Sequence, residues 1–205
     1  LGSVFGGKHA STFGDVGALS FNGNKIITTS GGGALVGSAE AMERVRYLAT
    51  QAKQPTLHYE HTEIGFNYRM SNLLAALGRA QLSRIEPGIA RRGELRARYV
   101  EALPELGWPK VSPDDRPNNW LSVAMLPEFV DPEDVCFALS RSAIEARPFW
   151  KPMHTQPVFA DSERIGGGVA DGLFERGICL PSGSSMSDAD QDRVIEALRV
   201  AIADA

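Results

Sequence analysis

The first 37 residues alternate short apolar runs with glycine-rich turns. Residues 16–21 (VGALSF) are typical of a buried strand, and the Asn-Gly-Asn sequence at 22–24 indicates a turn. Residues 26–29 and 34–36 are further short apolar runs on either side of the Ser-Gly-Gly-Gly sequence at 30–33. This pattern predicts two short strands joined by a tight turn.

Helical periodicity begins after Ser38, whose hydroxyl can cap a first turn. Four apolar positions then recur at helical spacing: Met42, Val45, Leu48 and Ala49. Residues 53–69 follow without a clean period, which predicts an exposed loop. Residues 71–85 are apolar almost all round and predict a second helix buried on several sides, which Pro87 is expected to end or kink.

A third helix is predicted from its apolar spacing and its cluster of arginines. Four apolar residues fall on one face: Ile89, Leu95, Tyr99 and Leu103. Four arginines fall largely on the other: Arg91, Arg92, Arg96 and Arg98. Because charge runs on helices usually face water, we interpret the arginines as a solvated face and not as a phosphate site.

From Trp108 onward the pattern changes to strands alternating with helices. Leu121, Val123 and Met125 predict one strand face, and residues 144–147 and 178–180 predict two further strands. Asp131 before a proline, and Ser187 three residues before an acid, each predict the start of a helix. The last helix should turn four residues inward: Val194, Ile195, Leu198 and Ile202. We therefore expect two domains, residues 1–107 and 108–205.

Composition and charge narrow the class of protein. The 205 residues carry a net charge of −4 with a pI near 5.6, and the mean hydropathy is −0.16. This mild acidity indicates neither a nucleic acid nor an anionic membrane as partner. Two cysteines make no disulfide framework, no apolar run approaches membrane-spanning length and no signal peptide is evident, so we expect a cytoplasmic location.

Lys25 is the first candidate for chemistry, because it follows the turn at 22–24 and precedes the glycine run. Only a neutral amine attacks a carbonyl, so a lysine held partly away from water suits covalent catalysis. The alternative is a turn lysine pointing to water. The glycine run could likewise form a nest for an anion or be a turn alone. No metal-ligand spacing is present, since His58 and His61 have no further partners nearby.

Five motifs together resemble one family. They are the sequences SFNGNK at 20–25, ITTSGGG at 27–33, GFNYRMSN at 65–72, RPFWKPMH at 147–154 and ICLPSG at 178–183. In this order and spacing the chain resembles the DegT/StrS-type sugar aminotransferases, which have fold type I and use pyridoxal phosphate.

The resemblance implies a fold class and a domain organisation. We expect an α/β chain equivalent to the C-terminal portion of a fold type I transferase. Residues 1–107 would supply the end of the large-domain sheet, a dimer loop and linking helices, and residues 108–205 a small C-terminal α/β domain. The family's carboxylate partner of the pyridine nitrogen lies upstream of the lysine and finds no match here, so we expect this chain alone to be inactive.

The resemblance also implies residue roles. Lys25 matches the lysine that binds the cofactor covalently, and Ser20 matches a hydroxyl that hydrogen-bonds its phosphate. Asn67 matches an asparagine that reaches the cofactor of the other subunit, which implies a homodimer with shared sites. Three residues match positions that could contact substrate, although packing or surface roles remain open for each: Arg69, Arg147 and His154. No metal is implied.

The implied reaction transfers an amino group from glutamate to a UDP-linked 4-keto-6-deoxy-N-acetylhexosamine. The Ser-Gly-Gly-Gly turn fits the UDP-sugar members, whereas the wider family usually has a glutamate where this chain has Gly31. Two alternatives stay open: a non-catalytic fragment that binds a nucleotide sugar or a partner, and a sugar dehydratase of the same fold. Related dehydratases have histidine at the lysine position, so Lys25 favours amino transfer.

Overall fold

The computed structural model describes residues 1–205, which form two compact units. The first comprises Leu1–Gly88 with Val111–Asn118, and the second comprises Ile89–Lys110 with Asn119–Ala205. No helix combines the length and the apolar composition that crossing a bilayer requires.

The first unit consists of two small antiparallel hairpins and two helices. Strands β1 (Val4–Phe5) and β2 (Lys8–His9) pair with each other, as do β3 (Val16–Ser20) and β4 (Gly33–Gly37). Helices α1 (Ala39–Ala49) and α2 (Asn72–Leu82) follow. Each helix is capped as serine N-caps require, because Ser38 accepts from the Ala41 N–H and Ser71 from the Leu74 N–H. Residues 53–69 form the predicted loop.

The predicted strand at 26–29 is wrong. The partner of β4 is β3, with Ser20 opposite Gly33 and Val16 opposite Gly37. Residues 26–29 instead fold back on the end of β3, where the Thr29 N–H and the Thr28 hydroxyl both donate to the Phe21 carbonyl. The antiparallel ladder is therefore complete without them.

Two expectations about α2 are also wrong. Its apolar residues are not buried within this chain, since Leu73 is 84% exposed and Leu77 is 43% exposed. Pro87 does not end α2, because that helix stops at Leu82 and a new helix, α3 (Ile85–Ala102), has Pro87 in its first turn. A proline there loses no intrahelical hydrogen bond, since first-turn N–H groups have no partner within the helix.

The second unit contains a three-stranded antiparallel sheet in the order β5 (Ser122–Met125), β7 (Gly177–Leu180) and β6 (Arg147–Pro148). Its other helices are α4 (Pro132–Arg141), α5 (Val169–Arg176) and α6 (Asp188–Ala203). Asp131 and Ser187 cap α4 and α6 as predicted. Of the predicted strand at 144–147 only Arg147 lies in a strand, as the first residue of β6.

The core of the second unit lies between its sheet and its helices. All four predicted inward residues of α3 and the end that follows it are buried: Ile89, Leu95, Tyr99 and Leu103. In α6, Val194, Ile195 and Leu198 are buried and Ile202 is half-buried. The predicted face of β5 is reversed, because Ser122, Ala124 and Leu126 are buried while the alternating Leu121, Val123 and Met125 are only half-buried.

The arginines of α3 are not a solvated face. Arg91 donates to Asp188 at 2.7 Å, and Arg98 donates to Asp192 at 2.7 Å. Arg92 donates to the Ser182 carbonyl at 2.5 Å, and Arg96 to the Pro109 carbonyl at 2.6 Å. The arginines therefore tie α3 to the other elements of the second unit.

These contacts also explain where the compact units divide. They group α3 from Ile89 onward with the second unit, whereas Arg116 pairs with Val4 and groups the segment Val111–Asn118 with the first. The division into domains at residues 107 and 108 stays a prediction, because compactness alone does not define a domain.

Candidate functional site

One turn after β3 carries both Ser20 and Lys25. The Asn22 N–H donates to the Ser20 hydroxyl at 3.4 Å, and the Lys25 N–H donates to the Asn22 carbonyl at 3.0 Å. The Asn22 amide also donates to the Asn24 side chain at 3.3 Å, which closes the turn further. Ser20 is exposed and Lys25 is half-buried. An amine and a hydroxyl are thus presented on a short, hydrogen-bonded piece of backbone.

The glycine run brings the start of β4 back against β3. The Phe21 N–H donates to the Gly32 carbonyl at 3.0 Å, and Gly32 has a φ of 87°, which suits glycine. A Cβ added at Gly33 would lie 2.4 Å from the Leu19 carbonyl oxygen, so no side chain fits there. A Cβ added at Gly31 would meet nothing within 4 Å. The last two glycines are therefore required by the turn, whereas the first is not.

Asn67 lies on a segment bound to the C-terminal end of α1. The Phe66 N–H donates to the Leu48 carbonyl at 2.7 Å, and the Tyr68 N–H donates to the Ala49 carbonyl at 3.1 Å. Gly65 permits this close approach, because a Cβ there would lie 2.3 Å from the Ala52 nitrogen. The backbone on both sides of Asn67 is thus fixed while its side chain is exposed.

A largely apolar groove of about 740 Å³ runs between these segments of the first unit. Its walls come from β3, β4, α1 and residues 66–70. Leu19, which precedes Ser20, lies in the wall, as do Phe66 and Tyr68 on either side of Asn67. Arg69 also lines the groove. The groove therefore joins the segments that carry Ser20 and Asn67.

The other two predicted substrate residues belong to the second unit. Arg147 is exposed on β6, where its guanidinium donates to Glu145 at 2.6 and 3.0 Å. His154 lies in a short 3₁₀ turn (Met153–Thr155), with Nε2 2.7 Å from the Asp171 carboxylate. Their roles as substrate contacts stay predictions.

Sequence reasoning missed Asp171. It also accepts from Arg164 at 2.6 Å, and the hydrogen bond with His154 is the main reason why its pKa is lowered from the usual value. It follows His154 by 17 residues, in a helix whose start has no side-chain cap. No spacing rule for catalytic motifs would have linked the two residues.

The two thiols have no place in this chemistry. Cys136 and Cys179 are free, and burial is the main cause that raises the pKa of each to about 11. Neither side chain is a thiolate near neutral pH, and a protonated thiol is a poor nucleophile.

The model of the DegT/DnrJ/EryC1/StrS aminotransferase family matches residues 1–199. The chain is 48% identical to EpsN of Bacillus subtilis (strain 168), whose name places it among pyridoxal phosphate-dependent aminotransferases, over 97% of this chain and 53% of that protein. It is 34% identical to the GDP-perosamine synthase of Caulobacter vibrioides (strain ATCC 19089 / CIP 103742 / CB 15), over 97% of this chain and 55% of the relative.

Solved structures agree with these sequence relatives. The crystal structure of the aminotransferase TlmJ from Streptoalloteichus hindustanus matches with a TM-score of 0.90 at 26% identity, covering 98% of this chain and 56% of that one. This likeness confirms the predicted α/β fold class. The chain spans about half the length of the curated relatives that it matches. With its family model matched from residue 1 to residue 199, the chain belongs to the DegT/DnrJ/EryC1/StrS aminotransferase family.

Proposed function

We propose that the complete gene product is an aminotransferase that moves an amino group from glutamate to a nucleotide-linked keto sugar. The observation that carries the proposal is the turn after β3, which presents Ser20 and Lys25 together in a member of this family. Members of the family use pyridoxal phosphate, which supplies an electron sink for the amino transfer when it is bound.

The residues of the turn fit that cofactor. The Lys25 backbone is held by Asn22, and its half-buried side chain carries the amine that would hold the cofactor and move a proton at the reacting carbon. The Ser20 hydroxyl accepts only the long 3.4 Å bond from Asn22, so its O–H is available to donate to a phosphate oxygen.

Asn67 is proposed to reach the cofactor of a second copy of the chain. Its fixed backbone and exposed side chain support such a role. The neighbouring loop also exposes several large apolar side chains, as surfaces that pack against another protein do: Leu57, Tyr59, Ile64 and Phe66. We therefore include a homodimer with shared sites in the proposal.

The first candidate for the sugar nucleotide is a UDP-linked 4-keto-6-deoxy-N-acetylhexosamine, because the Ser-Gly-Gly-Gly turn resembles that of the UDP-sugar members of the family. A GDP-linked 4-keto sugar is the second, because the chain is 34% identical to a GDP-perosamine synthase. Arg69, Arg147 and His154 supply cations or hydrogen-bond donors suited to phosphate and hydroxyl groups. Two free thiols support a reduced, cytoplasmic setting.

The proposal is tested by incubating the complete gene product with pyridoxal phosphate, glutamate and either sugar nucleotide, and by measuring 2-oxoglutarate. With one of the two sugar nucleotides we expect 2-oxoglutarate and amino sugar in equal amounts. The Lys25→Ala protein should form neither product. Lys25→Arg is the matched control, because it keeps the positive charge but has no amine that can attack a carbonyl. It should be equally inactive. Deoxygenation of a keto sugar is a net reduction, for which glutamate is the reductant in this assay. A deoxygenated sugar without a new amino group, formed together with 2-oxoglutarate and free ammonia, would therefore indicate the dehydratase. Binding without any product would indicate the non-catalytic alternative.

Borohydride reduction tests Lys25 separately from the sugar. It should fix the cofactor covalently to the peptide that contains Lys25 in the complete gene product. Label on a different lysine, or persistent label in Lys25→Ala, would overturn the assignment.

A further inference from the structure

The carboxylate of Asp171 is hydrogen-bonded by two side chains, His154 and Arg164, that belong to one long segment. His154 Nε2 lies 2.7 Å from Oδ1, and the Arg164 guanidinium donates to Oδ2 at 2.6 Å. The side chains of His154 and Asp171 are only 23% and 26% exposed. Each carboxylate oxygen thus has its own partner, and the contact with His154 is the one mostly shielded from water.

The segment that carries these two side chains has little regular structure, and its start is packed through the Trp150 ring against Trp120 and through the buried Pro152. Residues 150–168 contain two short 3₁₀ turns (Met153–Thr155 and Pro157–Phe159) and no longer element. Their backbone hydrogen bonds, such as Thr155 N–H to the Pro152 carbonyl, join neighbours within the segment. The side-chain hydrogen bonds from this segment to α5 are those of His154 and Arg164 to Asp171, and the Gly172 N–H of α5 also donates to the Gly168 carbonyl at the end of the segment.

We propose that Asp171 is a positioning residue, which fastens residues 150–168 to α5 and fixes the ring of His154. A carboxylate accepts and never donates when ionised, so the nitrogen facing it must carry the proton. The other ring nitrogen is then an acceptor in the neutral ring and a donor in the protonated one. Asp171 thereby determines which hydrogen bonds His154 can offer to a ligand.

The electrostatics support this assignment. His154 and Arg164 are the two charged or titratable groups that act on Asp171, and together they hold the pKa of its carboxyl below the usual value. The carboxylate therefore stays ionised at every pH at which the enzyme would be assayed. Removing it leaves two donors without their acceptor, which is more costly than exchanging one acceptor for another.

The inference rests on the proposed function in one respect, because the proposed function makes His154 a contact to the nucleotide sugar. Two measurements on the complete gene product are independent of that role. The first is hydrogen exchange of the hydrogen-bonded amides of Thr155 and Phe159. They should exchange about tenfold faster in Asp171→Ala. Loss of hydrogen bonds to a charged group lowers the free energy of local opening by an amount that corresponds to about this factor. Asp161→Ala, which removes an exposed carboxylate from the same segment, should change nothing.

The second measurement is the ¹⁵N spectrum of the histidine rings, with His154 assigned by its loss in His154→Gln. The native ring should be protonated at Nε2, and in Asp171→Ala the two neutral tautomers should both be populated. Asp171→Glu should restore the Nε2 proton in part, because it keeps a carboxylate. Unchanged exchange or an unchanged tautomer in Asp171→Ala would overturn the proposal.

Kinetic measurements then test whether the contacts of Asp171 affect binding of the substrate. Asp171→Ala should raise KM for the sugar nucleotide about tenfold and leave kcat within about threefold, because it disturbs binding and not the reacting atoms. A fall in kcat at unchanged KM would contradict a positioning role. If the gene product transfers no amino group at all, the proposed function fails, while the exchange and tautomer results still decide the role of Asp171.

Discussion

Gly78 of α2 lies directly against Thr29, so closely that a Cβ at position 78 would come within 2.8 Å of the Thr29 Cγ2 atom. Thr29 is fully buried, and its N–H holds the Phe21 carbonyl next to the turn that carries Lys25. One turn further along α2, Gln81 accepts from the Thr28 N–H at 3.0 Å. Helix α2 therefore supports the segment on which the proposed cofactor residues stand.

Gly78→Ala should consequently weaken cofactor binding as well as stability. We expect a loss of about 1–3 kcal/mol from the free energy of unfolding, because the added methyl displaces Thr29. Urea unfolding and the affinity for pyridoxal phosphate measure the two effects. Gly88→Ala is the matched control in α3, where a Cβ meets nothing, and it should be neutral or slightly stabilising. Equal effects of both substitutions would contradict the packing argument.

The glycine run offers a second matched pair. Gly33→Ala should destabilise the first unit, since its Cβ would overlap the Leu19 carbonyl, whereas Gly31→Glu should fold normally because the space there is open. Circular dichroism and thermal unfolding compare the variants. A destabilised Gly31→Glu protein would contradict the open space seen around Gly31.

Arg92 should be more important for stability than an exposed arginine. Its guanidinium donates to the carbonyls of Ser182 and Trp120, and burial lowers its pKa from the usual value. Arg92→Ala removes the donor of both part-buried contacts and should cost about 1–3 kcal/mol of unfolding free energy. Arg79→Ala on α2 is the exposed control and should fall within about 0.5 kcal/mol of wild type. Similar losses for both would refute the role of the carbonyl contacts.

Acid should destabilise the start of α6. Arg91 lowers the pKa of Asp188, and the Ser187 hydroxyl lowers that of Asp190. A carboxyl with a depressed pKa in the folded state stabilises above its unfolded pKa, near 3.9, and this contribution disappears as pH falls through the lower folded value. Stability should thus be flat with respect to these groups at pH 5–8 and fall below about pH 4.

Asp188→Asn should make that fall shallower, and Asp161→Asn, in an exposed segment, should leave it unchanged. Chemical unfolding at pH 7, 4 and 3 measures the difference between the two variants. An identical pH dependence of all three proteins would exclude Asp188 as the cause.

Both cysteines should resist modification while the protein is folded. With each pKa at about 11, the thiolate fraction at pH 7.5 is below about one in a thousand. Ellman's reagent should therefore release colour slowly from the native protein and at once after unfolding in guanidinium. Immediate release of one or two equivalents from the native protein would contradict this description.

Local signals predicted the capped helices and the family motifs well, because each depends on neighbours in sequence. Ser38, Asp131 and Ser187 cap helices through hydrogen bonds that span two or three residues. Contacts between distant residues were the ones missed. The apolar run at 26–29 has the composition of a strand, yet its donors are taken by Phe21 and by Gln81, which is 53 residues away.

The arginines of α3 provide a second example of contacts between distant residues that local sequence signals do not predict. Their spacing correctly separates them from the apolar face, but three of the four have partners 90 or more residues along the chain, at Ser182, Asp188 and Asp192. Charge alone gives no sign of such partners. The candidate site divides likewise: the residues around Lys25 are contiguous and can be proposed from the sequence, whereas the pairing of His154 with Asp171 depends on where α5 packs.

The two faces of α2 have opposite environments. Gly78 and Gln81 lie on the side that meets Thr28 and Thr29, while Leu73 and Leu77 are exposed in this chain. Because a helix moves as one body, whatever covers the outer leucines also biases the position of the acceptor that holds Thr28. By thermodynamic reciprocity, a ligand that tightens the turn at Lys25 would in the same measure favour coverage of those leucines, so in the proposed homodimer cofactor loading and assembly would be one linked equilibrium.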